Sequence, residues 1–488
     1  MGHHVITEVE NEKFEFTSRS RMLVGAIFVI GLILSIIGTM QIKGDDHSND
    51  HATNVEAIQH DDHGGATDGY RAEGHTSAEE HTEGGHEEEV VEDENDQDDL
   101  AAGHSEHVNH GEGHGEGHHV APPAPWTERV WANILMNAYY FMLFAIAALF
   151  FIAVNYAANA GWSTLVKKVA EAITSYLPIA LITIVFVQIV GHRELWDWIP
   201  FLEGEIGNTP HDKIMKSKAW FLNKGWFFGG VPIIIAVWIF FRWKLKTLSK
   251  KEDQHGGTEY HKKSVTFSAG FLVFFAFSFS ILSWLVLMSL EAAWFSTIYS
   301  VYNFAIAFVT GMTVICLFTL YLKSKGYMSI VSDEVIHDLG KFMFAFCVFW
   351  AYIFVSQYLL IWYANLPEEV VYFDVRRTET YKPLFRINII LCFVLPFLIL
   401  MMRNAKRNPR VLMLAGAIIL IGHWVDLYLM VMPGTIGESA SIGLLEIGTT
   451  MTFAGFFIYW VLHNLSKEGL YPVNHPYLLE SVNHDVGV

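Results

Sequence analysis

The sequence predicts an all-α polytopic membrane protein with about ten transmembrane helices. Three observations carry that prediction. Apolar residues make up 52% of the 488 positions, and they fall in long continuous runs rather than at the period of an amphipathic surface helix. Ten of these runs are about the 17 to 25 residues a bilayer requires. The three cysteines, Cys316, Cys347 and Cys392, all lie inside such runs, with no CxxC and no CxxCH. Neither a disulfide framework nor covalently attached haem is therefore encoded.

Residues 1–21 are polar and carry Lys13, Arg19 and Arg21, which suits a cytoplasmic N-terminal segment. The first run, 22–42, is long enough to span, and no small-residue cleavage site follows it, so it reads as a retained first helix and not a signal peptide. From 43 to 125 the chain holds 23 Asp and Glu and 13 of its 24 histidines against Lys43 and Arg71. That excess of acid is larger than the net charge of −19, so the remainder of the chain is slightly basic. So few apolar residues cannot offset the entropy of ordering the segment, and a disordered, periplasmic loop is expected. Its His/Glu repeats (His104, His107, His110, His114) suit loose Zn²⁺ or Cu²⁺ binding or attraction of a basic partner such as a cytochrome. A metal site needs fixed geometry, however, and no metal centre is expected there.

Nine further runs, near 131–157, 169–191, 226–241, 267–290, 299–322, 342–364, 384–402, 411–431 and 441–462, form a membrane domain over 126–465, followed by a cytoplasmic tail, 466–488. With the N-terminus inside, the inner segments hold 20 of the 32 Lys and Arg, so the positive-inside rule favours both termini in the cytoplasm. The stretch SQYLLIWYANLPEE, Ser356–Glu369, marks one outer boundary. Trp362 and Tyr363 suit the headgroup level, Asn365 and Pro367 stop the helix, and Gln357 and Tyr358 fall just inside the hydrocarbon.

Ionisable and amide groups inside spanning helices are costly, which makes each a candidate site. In the ninth run His423 and Asp426 share a face, one turn apart. The short MPGTIGESA turn brings Glu446 to a similar depth, and Gln357, Tyr358 and Arg386 complete a cluster near the outer side. His192, Arg193, Glu194 and Glu171 are weaker candidates. A buried carboxylate and imidazole suit accepting protons from a quinol or passing them along a chain. The other reading is that they pair with one another and only fix helix packing. The sequence carries none of the nucleotide-binding, zincin or serine-hydrolase motifs, and no nucleic-acid partner is expected.

The string QYLLIWYANLPEE, the ten-run layout, PLFRINIILCFVLPFLILM with its RNAKRNP turn, HWVDLYLMVMP, and the NAYYF and AGWSTLVKKVAEA strings resemble the polysulphide-reductase-like (NrfD-like) membrane subunits of bacterial alternative complex III, and among these the ActF-type subunit. The resemblance covers 131–465. It implies two four-helix bundles, helices 2–5 and 6–9, with helices 1 and 10 flanking them. It also implies a non-redox subunit of a quinol:cytochrome c (or oxidase) oxidoreductase in the bacterial inner membrane. Haem and iron–sulfur centres would lie on partner subunits beside a sister NrfD-like chain and a terminal oxidase, menaquinone would be the non-covalent cofactor, and the isolated chain would have no activity. This chain would contribute a proton pathway and a quinol-headgroup site. Two other readings are a non-catalytic assembly subunit and, less favoured because the runs are mostly unbroken by Gly or Pro near the midplane, a proton-coupled transporter.

Overall fold

A computed structural model describes residues 11–60, 124–202 and 210–484 of the chain. Contacts divide the chain into two units, Met1–His47 with Pro123–Val488, and Ser48–Pro122. Of the second unit the described residues, 48–60, are helical; the rest of the expected loop, 61–122, lies outside the described residues.

Among the described residues ten helices are long and apolar enough to cross a membrane: α1 (Ser18–His60, its apolar stretch Ser18–Gly44), α2 (Trp126–Ala157), α3 (Thr164–Val190), α4 (Trp226–His255), α5 (Glu259–Val286), α6 (Ile298–Ser324), α7 (Asp333–Ala364), α8 (Lys382–Leu400), α9 (Pro409–Val431) and α10 (Leu444–Leu465). The fold is the all-α, multi-pass membrane architecture the sequence predicts. Helix α1 runs on past residue 42, where the loop was expected to begin.

Helices α2 to α5 close into one four-helix ring and α6 to α9 into another, with α2 packed on α6 where the rings meet. Accordingly α2 and α6 are the most deeply buried spans, and Asn133, Asn137, Asn303, Thr310 and Thr313 on them are wholly enclosed. Helix α10 packs on α2 and α3. Helix α1 lies against α10 through glycines: a Cβ added at Gly448 would fall 2.4 Å from the Ser35 amide nitrogen, and one at Gly31 2.4 Å from that of Thr452. With no hydrophobic force between helices in lipid, such close backbone approach supplies the attraction. Gly448→Leu is therefore expected to prise α1 from α10 and lower stability by about 1–3 kcal/mol, read as a fall in the melting midpoint of the detergent-solubilised protein, with Gly25→Leu, which meets nothing, as the neutral control.

Local sequence sets the helix ends. Ser332 caps α7 by accepting from the Val335 amide at 3.3 Å, with Asp333 and Glu334 in the first turn where the helix dipole favours anions. Asn365 ends α7 in the left-handed conformation (φ 46°), and Pro367 opens a short helix, Pro367–Val375. Trp362 and Tyr363 are exposed, as an interfacial pair would be. In α8 a π-helical segment, Ile390–Val394, precedes Pro396, which cannot donate the regular helical bond. A matching π segment, Trp226–Gly230, precedes Pro232 in α4, the third helix of the other ring.

The described segments before α1 and after α10 meet at one end of the bundle. Leu470 donates its amide to the Glu12 carbonyl at 2.8 Å, and Lys13 bridges to Gly469. The segment after α10 is not a free tail: Leu470, Tyr471, His475 and Leu478 are buried.

Candidate functional site

Each helix of the second ring delivers one side chain to a single carboxylate. Asp426 on α9, 2% exposed, accepts at Oδ1 from the Tyr302 hydroxyl of α6 (2.5 Å) and from Asn388 Nδ2 of α8 (2.8 Å). Its Oδ2 accepts from the Trp350 indole of α7 (2.8 Å). One turn deeper His423, fully buried, places Nδ1 3.6 Å from Asp426 Oδ2, while its Nε2 has no hydrogen-bond partner. Cys392 lies between Asn388 Oδ1 (3.0 Å) and His423 Nδ1 (3.6 Å). Gly422 permits this closeness, since a Cβ there would meet the α8 backbone at 2.9 Å, within the π segment that carries Cys392.

Cys392, His423 and Asp426 also lie close enough to hold a metal ion. The donor set argues otherwise, because three N–H and O–H groups already occupy most of the Asp426 lone pairs and Cys392 lies against the Asn388 oxygen. The carboxylate is well supplied with donors, while His423 Nε2 is left without one.

Toward the end of the bundle away from the termini, a cavity of about 20 Å³, room for one water, opens beside Asp426, Asn388 and Tyr302. Gln357 lines it, and its buried amide nitrogen has no partner. Arg376, on the connection between α7 and α8, closes the cavity. Its Nε donates to the Leu429 carbonyl (2.8 Å) and its Nη1 to that of Tyr372 (2.5 Å), while Nη2 pairs with Glu291. This arrangement can hold a proton at Asp426 or His423, seat a water against Gln357, and end at an ion pair near the surface.

The expected cluster is thus brought together only in part. Asp426, His423 and Gln357 meet. Glu446 does not join them: it sits on α10 against α2, where it accepts from Arg129 Nε (2.9 Å), Asn133 Nδ2 (3.2 Å) and the Gly443 amide (2.8 Å), capping its own helix. Arg386 is exposed, and Asn388, two residues on, faces Asp426 in its stead. Tyr358 is half-buried, its ring edge-on to Phe373. His192 and Glu194 are half-buried and Arg193 exposed, at the end of α3, where His192 Nδ1 lies 3.0 Å from the Ile189 carbonyl.

Glu171 belongs to a second network, at the end carrying the termini. Lys167 and Lys168 bridge Glu171 (3.9 and 3.6 Å), Glu252 (3.3 Å from Lys167) and Asp253 (2.5 Å from Lys168), and Ser249 donates to Glu171 at 2.7 Å. His261 and His475 pack beside Glu252, and burial, with the Lys167 ammonium, pushes His475 down to about 3. Sequence reasoning missed Lys167, Lys168, Glu252, His261 and His475 as site residues because they come from four separate segments; the i, i+3, i+4 spacing of Lys167, Lys168 and Glu171 was the available signal. Arg376 was missed because it lies in a polar connection.

Compared with models of known protein families and with curated proteins, the chain matches none.

Proposed function

We propose that this chain is the membrane-embedded, proton-handling subunit of a respiratory quinol:cytochrome c (or oxidase) oxidoreductase of the alternative complex III type. One observation carries the reading: a single carboxylate on one helix of a bundle is tied to the other three, with an imidazole one turn deeper and a water-sized cavity, reached by Gln357, Asn388 and Arg376, on its outer side. Buried ionisable groups of this kind in a membrane mark proton or substrate paths. Oxidation of a quinol releases protons as well as electrons, and a carboxylate–imidazole pair next to water is suited to taking them up and passing them on.

In this reading quinol, menaquinol in the bacterial inner membrane, is oxidised at or beside this subunit, and electrons leave through haem and iron–sulfur centres on partner subunits. The Lys/Arg bias puts the termini in the cytoplasm, so that Asp426 lies toward the periplasm. A scaffold reading competes, favoured by the closed pairs Glu446–Arg129 and Arg376–Glu291. The test is quinol turnover and proton release by the purified, reconstituted complex carrying His423→Gln or Asp426→Asn. A several-fold loss with every subunit retained is expected; unchanged turnover at full assembly would leave only the scaffold.

A further inference from the structure

The buried group Glu252, His261 and His475 lies at the opposite end of the membrane domain from Asp426, and the proposed proton chemistry does not use it. Each residue offers one ligand atom, and these atoms lie within 4.8 Å of one another. All three side chains are buried, Glu252 completely. His261 Nε2 faces Asn159 Oδ1 at 3.2 Å, an oxygen that only accepts, so the ring proton sits on Nε2 and the lone pair on Nδ1. That lone pair faces Glu252 Oε1 across 3.6 Å. Neither atom has a hydrogen-bond partner, and both are shielded from solvent. Two acceptors facing each other in a buried site repel unless a proton or a metal cation lies between them. In a tetrahedral zinc site neighbouring ligand atoms stand about 3.3 Å apart, close to the 3.6 Å between Glu252 Oε1 and His261 Nδ1.

The supporting contacts fit as well. The other oxygen of Glu252 is held by Lys167 (3.3 Å) and by the Tyr156 hydroxyl (3.4 Å), which fixes the carboxylate with Oε1 turned inward. The Asn159 contact orients His261 as outer partners orient metal-bound imidazoles. A cavity of about 20 Å³, lined by Asn155, Tyr156, Lys167, His261 and His475, leaves room for one water as a fourth ligand. Around the site two ammonium groups, Lys167 and Lys168, stand against three carboxylates, Glu171, Glu252 and Asp253, so a dication enters a field with one net negative charge.

We propose that Glu252, His261 and His475 form a structural Zn²⁺ site that fastens the ends of α4 and α5 to the segment after α10. The Glu252–His261 pair is already in place. His475 is the ligand that adjusts: the Tyr477 amide now donates to its Nδ1 at 3.2 Å, so binding through Nε2 requires the ring proton to move to Nδ1 and that long contact to open.

The full-length protein in detergent is stripped with a chelator, given Zn²⁺, passed over chelating resin and assayed for metal by mass spectrometry, with Co²⁺ substituted in parallel. The 13 histidines of 43–125 are common to the parent and all three variants, so the comparison rests on the difference in retained metal. The parent is expected to keep about one more zinc per chain than Glu252→Gln, His261→Gln or His475→Gln, to show the intense visible bands of four-coordinate Co²⁺, and to gain thermal stability on adding Zn²⁺, as a ligand specific for the folded state must give. The proposal is overturned if the parent retains no zinc, or if parent and variants retain the same amount. Because the parent's own retention and melting shift need no mutation, a variant that fails to fold does not shelter the idea.

Discussion

Replacing Arg376 by alanine is expected to be the most damaging single change in the second ring of helices. The guanidinium is 2% exposed and points in three directions: to the Leu429 carbonyl on α9, to the Tyr372 carbonyl, and to Glu291 on the connection between α5 and α6. Its guanidinium carbon also lies over the Tyr372 ring, 3.4 Å from its centre. It therefore ties together two connections and the end of the helix that carries Asp426. Alanine leaves a largely enclosed Glu291 carboxylate and two carbonyls without donors. Breaking one side of a buried ion pair costs about 3–5 kcal/mol, a large part of what holds an ordinary domain folded. The expected result is a sharp fall in yield of folded protein and in melting midpoint. Arg376→Lys should recover only part of the loss, because one ammonium cannot reproduce a planar fork with fixed directions. A variant that melts within a degree or two of the parent would show that Glu291 finds water or another donor, and that the cavity beside Gln357 does not depend on this plug.

Much of the fold was legible because a bilayer requires a simple thing of a chain. A helix must bury every backbone polar group within itself over a fixed thickness, so length and apolar content suffice to find α1 to α10. Asn365 and Pro367 gave the end of α7 for reasons that act within a few residues. Which faces meet was less legible. Glu446 and Asp426 were expected side by side because a short turn joins their helices, yet α10 packs on α2 and α3; a turn in a helical bundle fixes proximity of ends, not of faces. Arg386 and Asn388 illustrate the same limit. Two residues are about 200° apart round a helix, so only one of them can look at Asp426, and the π segment that follows resets the register of α8 in a way no periodicity count anticipates. Arg376 comes from a connection, Glu252 and His261 from the polar ends of α4 and α5, and His475 from the segment after α10, where no hydrophobic period exists to place a side chain.

Asp426→Asn is expected to lower quinol turnover several-fold while the complex stays assembled, and the reasoning separates chemistry from packing. The new amide is nearly the same size, but its nitrogen must face either Asn388 Nδ2 or the Trp350 indole, donor against donor. That mismatch costs about 1–3 kcal/mol, tolerable in a domain held by ten helices. Asn388 relieves part of it by turning its own amide over, at the expense of its contact with Cys392. What the substitution removes outright is the protonatable group beside His423. Trp350→Phe supplies the control, since it takes a hydrogen bond and some packing from the same carboxylate yet leaves the carboxylate and the imidazole in place. If Asp426 handles protons, the two variants melt at similar temperatures, and turnover falls several-fold in Asp426→Asn but less than about twofold in Trp350→Phe. If the cluster only holds four helices together, turnover follows melting temperature and the two variants lose activity alike. Measuring both in one preparation, with subunit content checked, decides whether the second ring is built around a proton or around a knot of hydrogen bonds.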